Sequence, residues 1–216
     1  MRILIMHASA GNGHTRAAQA LAKAFAGQLP DAEVTVSDIL DFTSSMFRST
    51  YARGYLRVVR AVPELWGYIY SLSDRKATVP WRRKVRTAFN EISTMALRSF
   101  LRETTPDIIV CTHFMPLEVL SQPSLRKICA APLYCVVTDF AVHSLWLASD
   151  VSAYFVATDD ARDHLRGAQP HELEGAPAVS GLVDAVAPRG ALAVVVLAAT
   201  HPHGIGVVRI DGDVAD

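Results

Sequence analysis

The sequence predicts an α/β domain built around a parallel, Rossmann-like sheet. Short β-rich apolar runs alternate with segments of helical periodicity, which is the pattern of βαβ units around a parallel sheet. Half of the 216 residues are hydrophobic and 19% are charged, as is typical of a folded domain. The runs predicted as strands are residues 3–6, 33–36, 107–111, 133–137 and 153–156.

Two helices are predicted between these strands. The first connects the first two strands and has Ala18, Leu21, Phe25 and Leu29 at helical spacing. The second helix precedes the third strand, and its apolar face is formed by Val85, Phe89, Ile92, Ala96 and Phe100.

Residues 191–200 form a run rich in Ala and Val that could supply one more strand and complete the sheet.

Charge and cysteine content limit the class of protein but identify no partner. Lys plus Arg equals Asp plus Glu at 21 each, so the formal net charge is zero. The three cysteines are odd in number and lie in or near apolar segments, which indicates reduced thiols in a cytosolic protein. The longest apolar run, residues 191–199, is too short to span a membrane, so any membrane association is expected to be peripheral.

The segment 44–86 differs from the rest of the chain in charge and aromatic content. It contains ten basic, two acidic and seven aromatic residues. The helical spacing of Phe47, Tyr51 and Tyr55 predicts a basic amphipathic helix that contacts an anionic membrane surface. The alternative is a solvated helical insertion whose aromatic side chains pack on the sheet. Single-stranded nucleic acid would use the same residue types, but the motifs elsewhere argue against a nucleic-acid partner. The predicted membrane contacts are Arg57, Trp81, Arg82, Arg83, Lys84 and Arg86.

A glycine-containing loop follows the first strand and leads into the first helix. It runs from Ser9 to His14 and matches neither the dinucleotide fingerprint nor a Walker A loop. Glycines let the backbone approach a ligand closely and free helix N–H groups favour an anion, so Gly11, Asn12 and Gly13 are predicted to bind substrate. A histidine here can act as a general base near neutral pH. The alternative is that His14 only opens the helix and the glycines only make the turn.

Polar residues follow two further predicted strands at the same edge of the sheet. Thr112 and His113 come directly after the third strand, while Asp139 and His143 follow the fourth. Open α/β folds place ligands at the carboxyl ends of their strands, so His14, His113 and Asp139 are expected to share one crevice with His143. The sequence spacing matches no standard zinc pattern, so no metal is predicted. Each residue singly is also typical of a helix cap or a hydrogen-bonded loop group.

Three motifs follow one another along the chain. They are residues 9–14 with the alanine-rich helix after them, Thr112-His113, and Thr138-Asp139-Phe140 with His143 and Trp146. In this order they resemble the N-terminal domain of monogalactosyldiacylglycerol synthases. The pattern is similar to that of bacterial processive diacylglycerol glucosyltransferases and, more distantly, to that of the glycosyltransferase that makes the lipid-linked peptidoglycan precursor. The resemblance covers about residues 1–181.

The resemblance implies the N-terminal half of a glycosyltransferase-B fold, in which two Rossmann-like domains face a cleft. In that family the N-terminal domain takes the lipid acceptor and the C-terminal domain binds the UDP-sugar. The resemblance implies that His14 deprotonates the acceptor hydroxyl and that Asp139 belongs to the catalytic site, with His113 and His143 binding substrate. It further implies hexose transfer from a UDP-sugar to diacylglycerol, with no cofactor or protein-bound metal, by a cytoplasmic enzyme peripheral on the inner face of the cell membrane.

Residues 182–216 depart from the family pattern. These residues contain neither a glycine-rich diphosphate loop nor the ribose-binding acid of a donor domain. The donor-side half is therefore expected to be missing, residues 182–216 to be an atypical tail, and the chain to be inactive alone. Two other interpretations stay open. One is a non-catalytic lipid-binding module on the membrane surface, and the other is a soluble nucleotide-binding enzyme, against which the basic segment 44–86 argues.

Overall fold

A five-stranded parallel sheet forms the centre of the α/β fold. The computed structural model describes residues 1–9, 12–49, 51, 95–139, 142–156, 159–168, 194–199 and 205–210. All five strands run parallel in the order β2-β1-β3-β4-β5, which confirms the predicted fold class and all five strands, whose ends differ by at most two residues from the prediction. The strands are β1 (Arg2–His7), β2 (Glu33–Asp38), β3 (Ile108–Cys111), β4 (Leu133–Val136) and β5 (Ala153–Phe155).

Helices connect these strands. Helix α1 includes the predicted positions Ala18, Leu21 and Phe25, all buried, and ends just before Leu29. Helix α2 contains the C-terminal part of the second predicted helix, whose residues 85–94 lie outside the described part of the chain. The helices are α1 (Asn12–Gln28), α2 (Met95–Thr104), α3 (Phe114–Leu120), α4 (Pro123–Arg126) and α5 (Asp159–Ala168), with 3-10 turns at Ile39–Phe42 and Ser144–Trp146.

Side chains from alternate strand positions pack on the two faces of the sheet. On one face, Ile3, Ile5 and Val110 pack in a cluster with Leu21 and Phe25 of α1. The other face is covered by α2, α3 and α5. Both faces of the sheet are therefore shielded from water, as in other parallel sheets with helices on either side. The cluster on the second face includes Leu4, Met6, Ile109, Cys111, Leu133, Leu97, Leu101, Met115, Leu117 and Leu165.

Two of the free cysteines are neighbours in the sheet. Cys111 on β3 and Cys135 on β4 are paired in register, and both are fully buried. Burial raises the pKa of both thiols, because a thiolate would lose its hydration in this apolar cluster. Cys129, after α4, is only partly buried.

The strand predicted within residues 191–200 is present, but its predicted partner is wrong. It spans Val194–Ala199 (β6) and pairs antiparallel with Ile205–Ile210 (β7) in a separate two-stranded sheet. The five residues between the two strands allow a hairpin, whereas joining the parallel sheet would require a longer crossover connection. Residues 194–199 and 205–210 therefore form a separate antiparallel pair and do not complete the five-stranded sheet.

The described N-terminal part of the basic segment, residues 44–49 and 51, lies against the core. Phe47 and Tyr51 stack with their ring centroids 5.8 Å apart, and both pack on the cluster of the second sheet face. Met46, within the segment, and Met95, beyond its C-terminal end, are 77% and 83% exposed. The residues predicted to contact a membrane, from Arg57 to Arg86, lie outside the described residues. Within the described ranges, no helix is both long enough and apolar enough to cross a bilayer.

Candidate active site

The candidate site lies where the strand order reverses, between β1 and β3. In open α/β sheets the loops at the carboxyl ends of two such strands diverge and leave a crevice in which ligands bind. At this edge Asp38, the last residue of β2, accepts a hydrogen bond from the Ser9 backbone at 3.3 Å and caps the following turn through Leu40 at 3.0 Å. The carboxylate of Asp38 thus ties the loop after β1 to the neighbouring strand.

His14 is buried in the first turn of α1 and is held by the ends of β3 and β4. Its ring is 7% exposed. The Nδ1 atom lies 3.0 Å from the Thr112 carbonyl oxygen and 2.6 Å from the Thr138 hydroxyl. The Thr112 hydroxyl also donates to the His14 carbonyl oxygen at 3.0 Å. These contacts bring together residues that are about one hundred positions apart in the sequence and fix the His14 ring at the carboxyl edge of the sheet.

His113 lies against His14 but is fully buried. The two ring centroids are 4.4 Å apart in an edge-to-face arrangement, and His113 is 0% exposed. The Met115 backbone N–H donates to Nδ1 of His113 at 2.9 Å, so His113 is the N-cap of α3. A ring that accepts at Nδ1 carries its proton on Nε2 when it is neutral. That Nε2–H has no hydrogen-bond acceptor among the described residues.

Asp139, His143 and Trp146 form the third part of the site, after β4. The Trp146 indole N–H donates to Oδ2 of Asp139 at 2.9 Å, and Nε2 of His143 lies 3.5 Å from the same oxygen. The Leu145 backbone N–H donates to Nδ1 of His143 at 3.2 Å, which leaves the proton of the neutral ring on Nε2, towards Asp139. The Asp139 side chain is 26% exposed, so it borders the solvent.

Burial and charge shift the pKa values of this cluster in a consistent way. Burial lowers the pKa of His14 below 6.5, although the Asp139 carboxylate and the Thr112 carbonyl act in the opposite direction. Burial tends to raise the pKa of Asp139, but hydrogen bonds from His143 and Trp146 outweigh it and the pKa lies below the ordinary value. Burial also lowers the pKa of His113 well below 6.5. Near neutral pH the site therefore combines a carboxylate at Asp139 with neutral rings at His14 and His113.

The structure brings His14, His113, Asp139 and His143 to one edge, as the strand-end pattern predicts. Their roles as base or substrate contacts stay predictions, and the 0% exposure of His113 means that its ring does not reach the surface in this conformation. Among the described residues no group of three or more His, Cys, Asp or Glu side chains is arranged to hold a metal ion.

The loop between β1 and α1 is only partly described. Gly11 lies outside the described residues, while Asn12 and Gly13 are exposed in the first turn of α1. A Cβ atom built on Gly13 would meet nothing within 4 Å, so the packing of the chain does not itself require glycine there. The prediction that Gly11, Asn12 and Gly13 bind substrate stays a prediction.

The sequence motifs included Thr112, Thr138 and Trp146, but sequence reasoning assigned these side chains no role in supporting the site. The hydroxyl groups of Thr112 and Thr138 and the indole of Trp146 bond directly to His14 or Asp139. His7, at the end of β1, adds a further histidine within electrostatic range of His14. The signal that could have indicated the role of the threonines is their position immediately after a buried strand, beside the residue singled out in each motif.

Comparisons with known proteins agree with the family resemblance. A sequence profile described as monogalactosyldiacylglycerol (MGDG) synthase matches residues 14–175. A processive diacylglycerol beta-glucosyltransferase of Bacillus cytotoxicus is 28% identical over 160 residues, which cover 73% of this chain and 39% of the relative. One of Bacillus cereus is 27% identical over 164 residues, covering 75% and 40%. The chain thus spans about two fifths of the length of these relatives.

A solved structure is also similar, at a lower level. The crystal structure of the glycosyltransferase VinC in complex with DTDP shares 15% sequence identity and a TM-score of 0.37, covering 77% of this chain and 38% of VinC. This likeness is too weak to support a conclusion about fold or ligand. The profile match, in contrast, includes most of the described sheet and the whole His14–His143 cluster. The chain therefore belongs to the monogalactosyldiacylglycerol synthase family.

Proposed function

We propose that this chain is the acceptor-side part of a glycolipid-forming hexosyltransferase, which transfers a hexose from a UDP-sugar to diacylglycerol or a related lipid. Membership of the family and the names of the Bacillus relatives support this reaction class. A lipid-linked peptidoglycan precursor is the alternative acceptor. The chain spans about two fifths of those relatives, so the donor is proposed to be bound by residues that correspond to the rest of their length.

The observation that carries the proposal is the state of His14. A general base must be unprotonated at the working pH and must lie where the substrate binds. His14 lies at the carboxyl edge of the sheet, at the reversal of strand order, and burial lowers its pKa below 6.5. Its neutral form therefore predominates near neutral pH. In the proposed reaction His14 takes the proton of the acceptor hydroxyl while the hydroxyl oxygen attacks the anomeric carbon and UDP leaves.

Asp139 supplies the charge that this step needs. Proton transfer converts His14 into an imidazolium ion, which is costly in a buried position. The Asp139 carboxylate favours the charged form of His14, and its own hydrogen bonds from Trp146 and His143 keep it ionised. In this proposal Asp139 acts through the electric field at His14, while His143 keeps the carboxylate in place.

The proposal includes peripheral contact with the inner face of the cell membrane. A diacylglycerol acceptor resides in the bilayer, so the site must lie close to an anionic surface. The basic segment 44–86 supplies the charge for this contact, and Met46 within the segment and Met95 beyond its C-terminal end are both exposed. The proposed contacts are Arg57, Trp81, Arg82, Arg83, Lys84 and Arg86.

A chimera tests the catalytic proposal. Residues 1–181 of this chain replace the matched N-terminal segment of the Bacillus cytotoxicus relative, and glycolipid formation is measured with UDP-glucose or UDP-galactose and diacylglycerol in anionic vesicles. We expect turnover in the chimera, a loss of about 10²-fold or more on His14→Gln, and no product from the 216-residue chain alone. The matched control is His164→Gln on α5, which removes a histidine outside the site and should leave turnover unchanged.

Each result of this experiment has a clear meaning. Normal turnover by the His14→Gln chimera would remove His14 from the mechanism. A folded chimera that binds vesicles but makes no glycolipid would favour the non-catalytic lipid-binding module. Multiple turnover by the 216-residue chain alone would contradict the proposal that the donor is bound elsewhere.

Vesicle co-sedimentation tests the membrane proposal separately. Changing Arg82, Arg83, Lys84 and Arg86 to Glu should abolish binding to anionic vesicles at low salt, because each cation near the surface contributes about 1 kcal/mol. The control changes four exposed cations on the described surface to Glu, which alters the net charge equally: Arg16, Lys23, Arg102 and Lys127. Equal losses of binding in both variants would show that net charge, and not segment 44–86, determines the association.

A further inference from the structure

The ring of His14 is contacted on its Nδ1 side by two threonines from different strand ends. Nδ1 lies 3.0 Å from the carbonyl oxygen of Thr112 and 2.6 Å from the hydroxyl oxygen of Thr138. The same Thr138 hydroxyl lies 3.4 Å from the Thr112 carbonyl oxygen. These three groups form a closed triangle in which Thr112 is 0% exposed and His14 is 7% exposed.

The chemistry of the triangle determines where the proton on His14 lies. A backbone carbonyl oxygen can only accept a hydrogen bond, so a short contact with Nδ1 requires a proton on Nδ1. The Thr138 hydroxyl can accept from that Nδ1–H and donate its own proton to the Thr112 carbonyl. With the proton on Nε2 instead, two lone pairs would face each other at 3.0 Å in a buried position, at the cost of an unsatisfied polar contact.

Thr112 also fixes the main chain that carries the ring. Its hydroxyl donates to the His14 carbonyl oxygen at 3.0 Å while its own carbonyl faces the ring. Thr112 directly follows β3, and its backbone N–H donates to the Met6 carbonyl of β1 at 3.0 Å. His14 is therefore held in position by hydrogen bonds that lead to two central strands of the sheet, and not by a surface loop.

The other two histidines of the site have the opposite proton arrangement. His113 and His143 each accept a backbone N–H at Nδ1, from Met115 and Leu145, and so carry a proton on Nε2 when neutral. Asp139 does not orient His14 by a hydrogen bond, since its bonds among the described residues go to Trp146 and His143. Of these three rings, only that of His14 would have an unprotonated Nε2 in its neutral form. The lone pair of this nitrogen can accept a proton, as a general base must.

We propose that Thr112 and Thr138 are positioning residues that hold His14 with its proton on Nδ1 and its lone pair on Nε2. The proposal rests on the proposed function only for the use made of that lone pair. After Nε2 takes up a proton, the Nδ1–H keeps both acceptors, so the same two threonines also stabilise the charged ring. Because Thr112 acts on the ring through its backbone carbonyl, Thr138 is the partner that substitution can test.

The position of the proton can be measured in the 216-residue chain without any sugar transfer. Long-range 1H–15N NMR correlations distinguish the two neutral forms of an imidazole ring, and the His14 signals are assigned by their loss in His14→Gln. Above the pH range of histidine titration we expect protonated Nδ1 and unprotonated Nε2 at His14, and the opposite at His113 and His143. Unprotonated Nδ1 at His14 would overturn the proposal.

The role of Thr138 is tested by following the pKa of His14 in the same spectra. Thr138→Val removes the hydroxyl with little change in shape and should lower the pKa of His14 by about half a unit, since the charged ring loses an acceptor. Thr138→Ser keeps the hydroxyl and should restore the wild-type pKa. The ionisable neighbours Asp139, His7 and His143 are the same in every variant, so the difference reports on the hydroxyl.

The outcomes separate this proposal from the proposed function. An unchanged pKa of His14 in Thr138→Val would exclude Thr138 as a positioning residue. If the valine variant does not fold, Thr138→Ala removes the same hydroxyl: a lowered pKa of His14 in that variant supports the role of the hydroxyl, and a wild-type pKa contradicts it. The predicted proton position together with an inactive chimera would reject the transferase proposal and retain the positioning role.

Discussion

Replacing His113 with asparagine should remove much of the acid sensitivity of folding. His113 is fully buried, and burial lowers its pKa well below 6.5. Below about pH 6.5 the unfolded chain therefore binds a proton at His113 that the folded chain does not. The resulting contribution to stability is complete above the unfolded pKa and is lost as the pH falls from there towards the folded pKa. Asparagine supplies a side-chain oxygen that can cap α3 in place of the His113 Nδ1 atom, and it does not titrate.

The size of the effect follows from this difference in proton binding. A histidine that stays neutral in the folded state lowers the free energy of unfolding by up to about 1.4 kcal/mol for each pH unit below its unfolded pKa. With an unfolded pKa of 6.5, the contribution of His113 to the free energy of unfolding falls by about 1.4 kcal/mol between about pH 7.5 and about pH 5.5. His14 contributes in the same direction, but it is present in both proteins, so the comparison isolates His113.

Urea titrations at several pH values measure this difference. Unfolding is followed by tryptophan fluorescence and by far-UV circular dichroism in wild type, His113→Asn and the control Gln122→Leu. Gln122 is a suitable control because its Nε2 is, like that of His113, buried without a hydrogen-bond acceptor in the described part of the chain, yet it does not titrate. As the pH falls, the free energy of unfolding of the wild type and of Gln122→Leu should decrease in parallel. That of His113→Asn should decrease less. Parallel lines for all three proteins would refute the argument.

Substitutions at three further positions test separate contacts. Trp146→Phe removes the indole N–H from Asp139 and should raise the pKa of that carboxyl by about one unit in an NMR titration, whereas an unchanged pKa would contradict the role of this bond. Leu101→Ala, at a core position of α2, should cost about 2–5 kcal/mol in urea titrations, and Leu101→Met less than about 1.5 kcal/mol. Asp38→Ala should cost about 1 kcal/mol through loss of the cap on Leu40, and Asp38→Asn clearly less, with equal losses arguing against a capping role.

The strands could be predicted because their apolar pattern is visible within a few neighbouring residues. Helix α3 could not be predicted, because its residues are buried by contacts with distant parts of the chain. The strand around Ile109 is a continuous apolar run after a proline, which is readable from a few residues. In α3, six of the seven residues are buried, so no polar face exists to reveal a helical period. The partner of β6 could not be read either, since an apolar run does not specify which strand it pairs with.

The candidate site was predictable in its membership but not in its connections. Polar residues after parallel strands converge on one edge of a sheet, which is enough to group His14, His113 and Asp139. The hydrogen bonds that distinguish the three depend on distances between strand ends that the sequence does not contain. His113 illustrates the limit, since the same motif position is compatible with a substrate contact and with the helix cap that the structure shows.

The paired cysteines of β3 and β4 make the interior of this sheet accessible to a simple chemical measurement. The thiolate attacks a thiol reagent, which must reach the sulfur, and burial both disfavours the thiolate and blocks access at Cys111 and Cys135. Cys111 and Cys135 can therefore react only when the central strands open. The partly buried Cys129 should react first. The rate at which the second and third thiols disappear reports how often the central strands beneath the candidate site separate, in the unmodified sequence and without an added label.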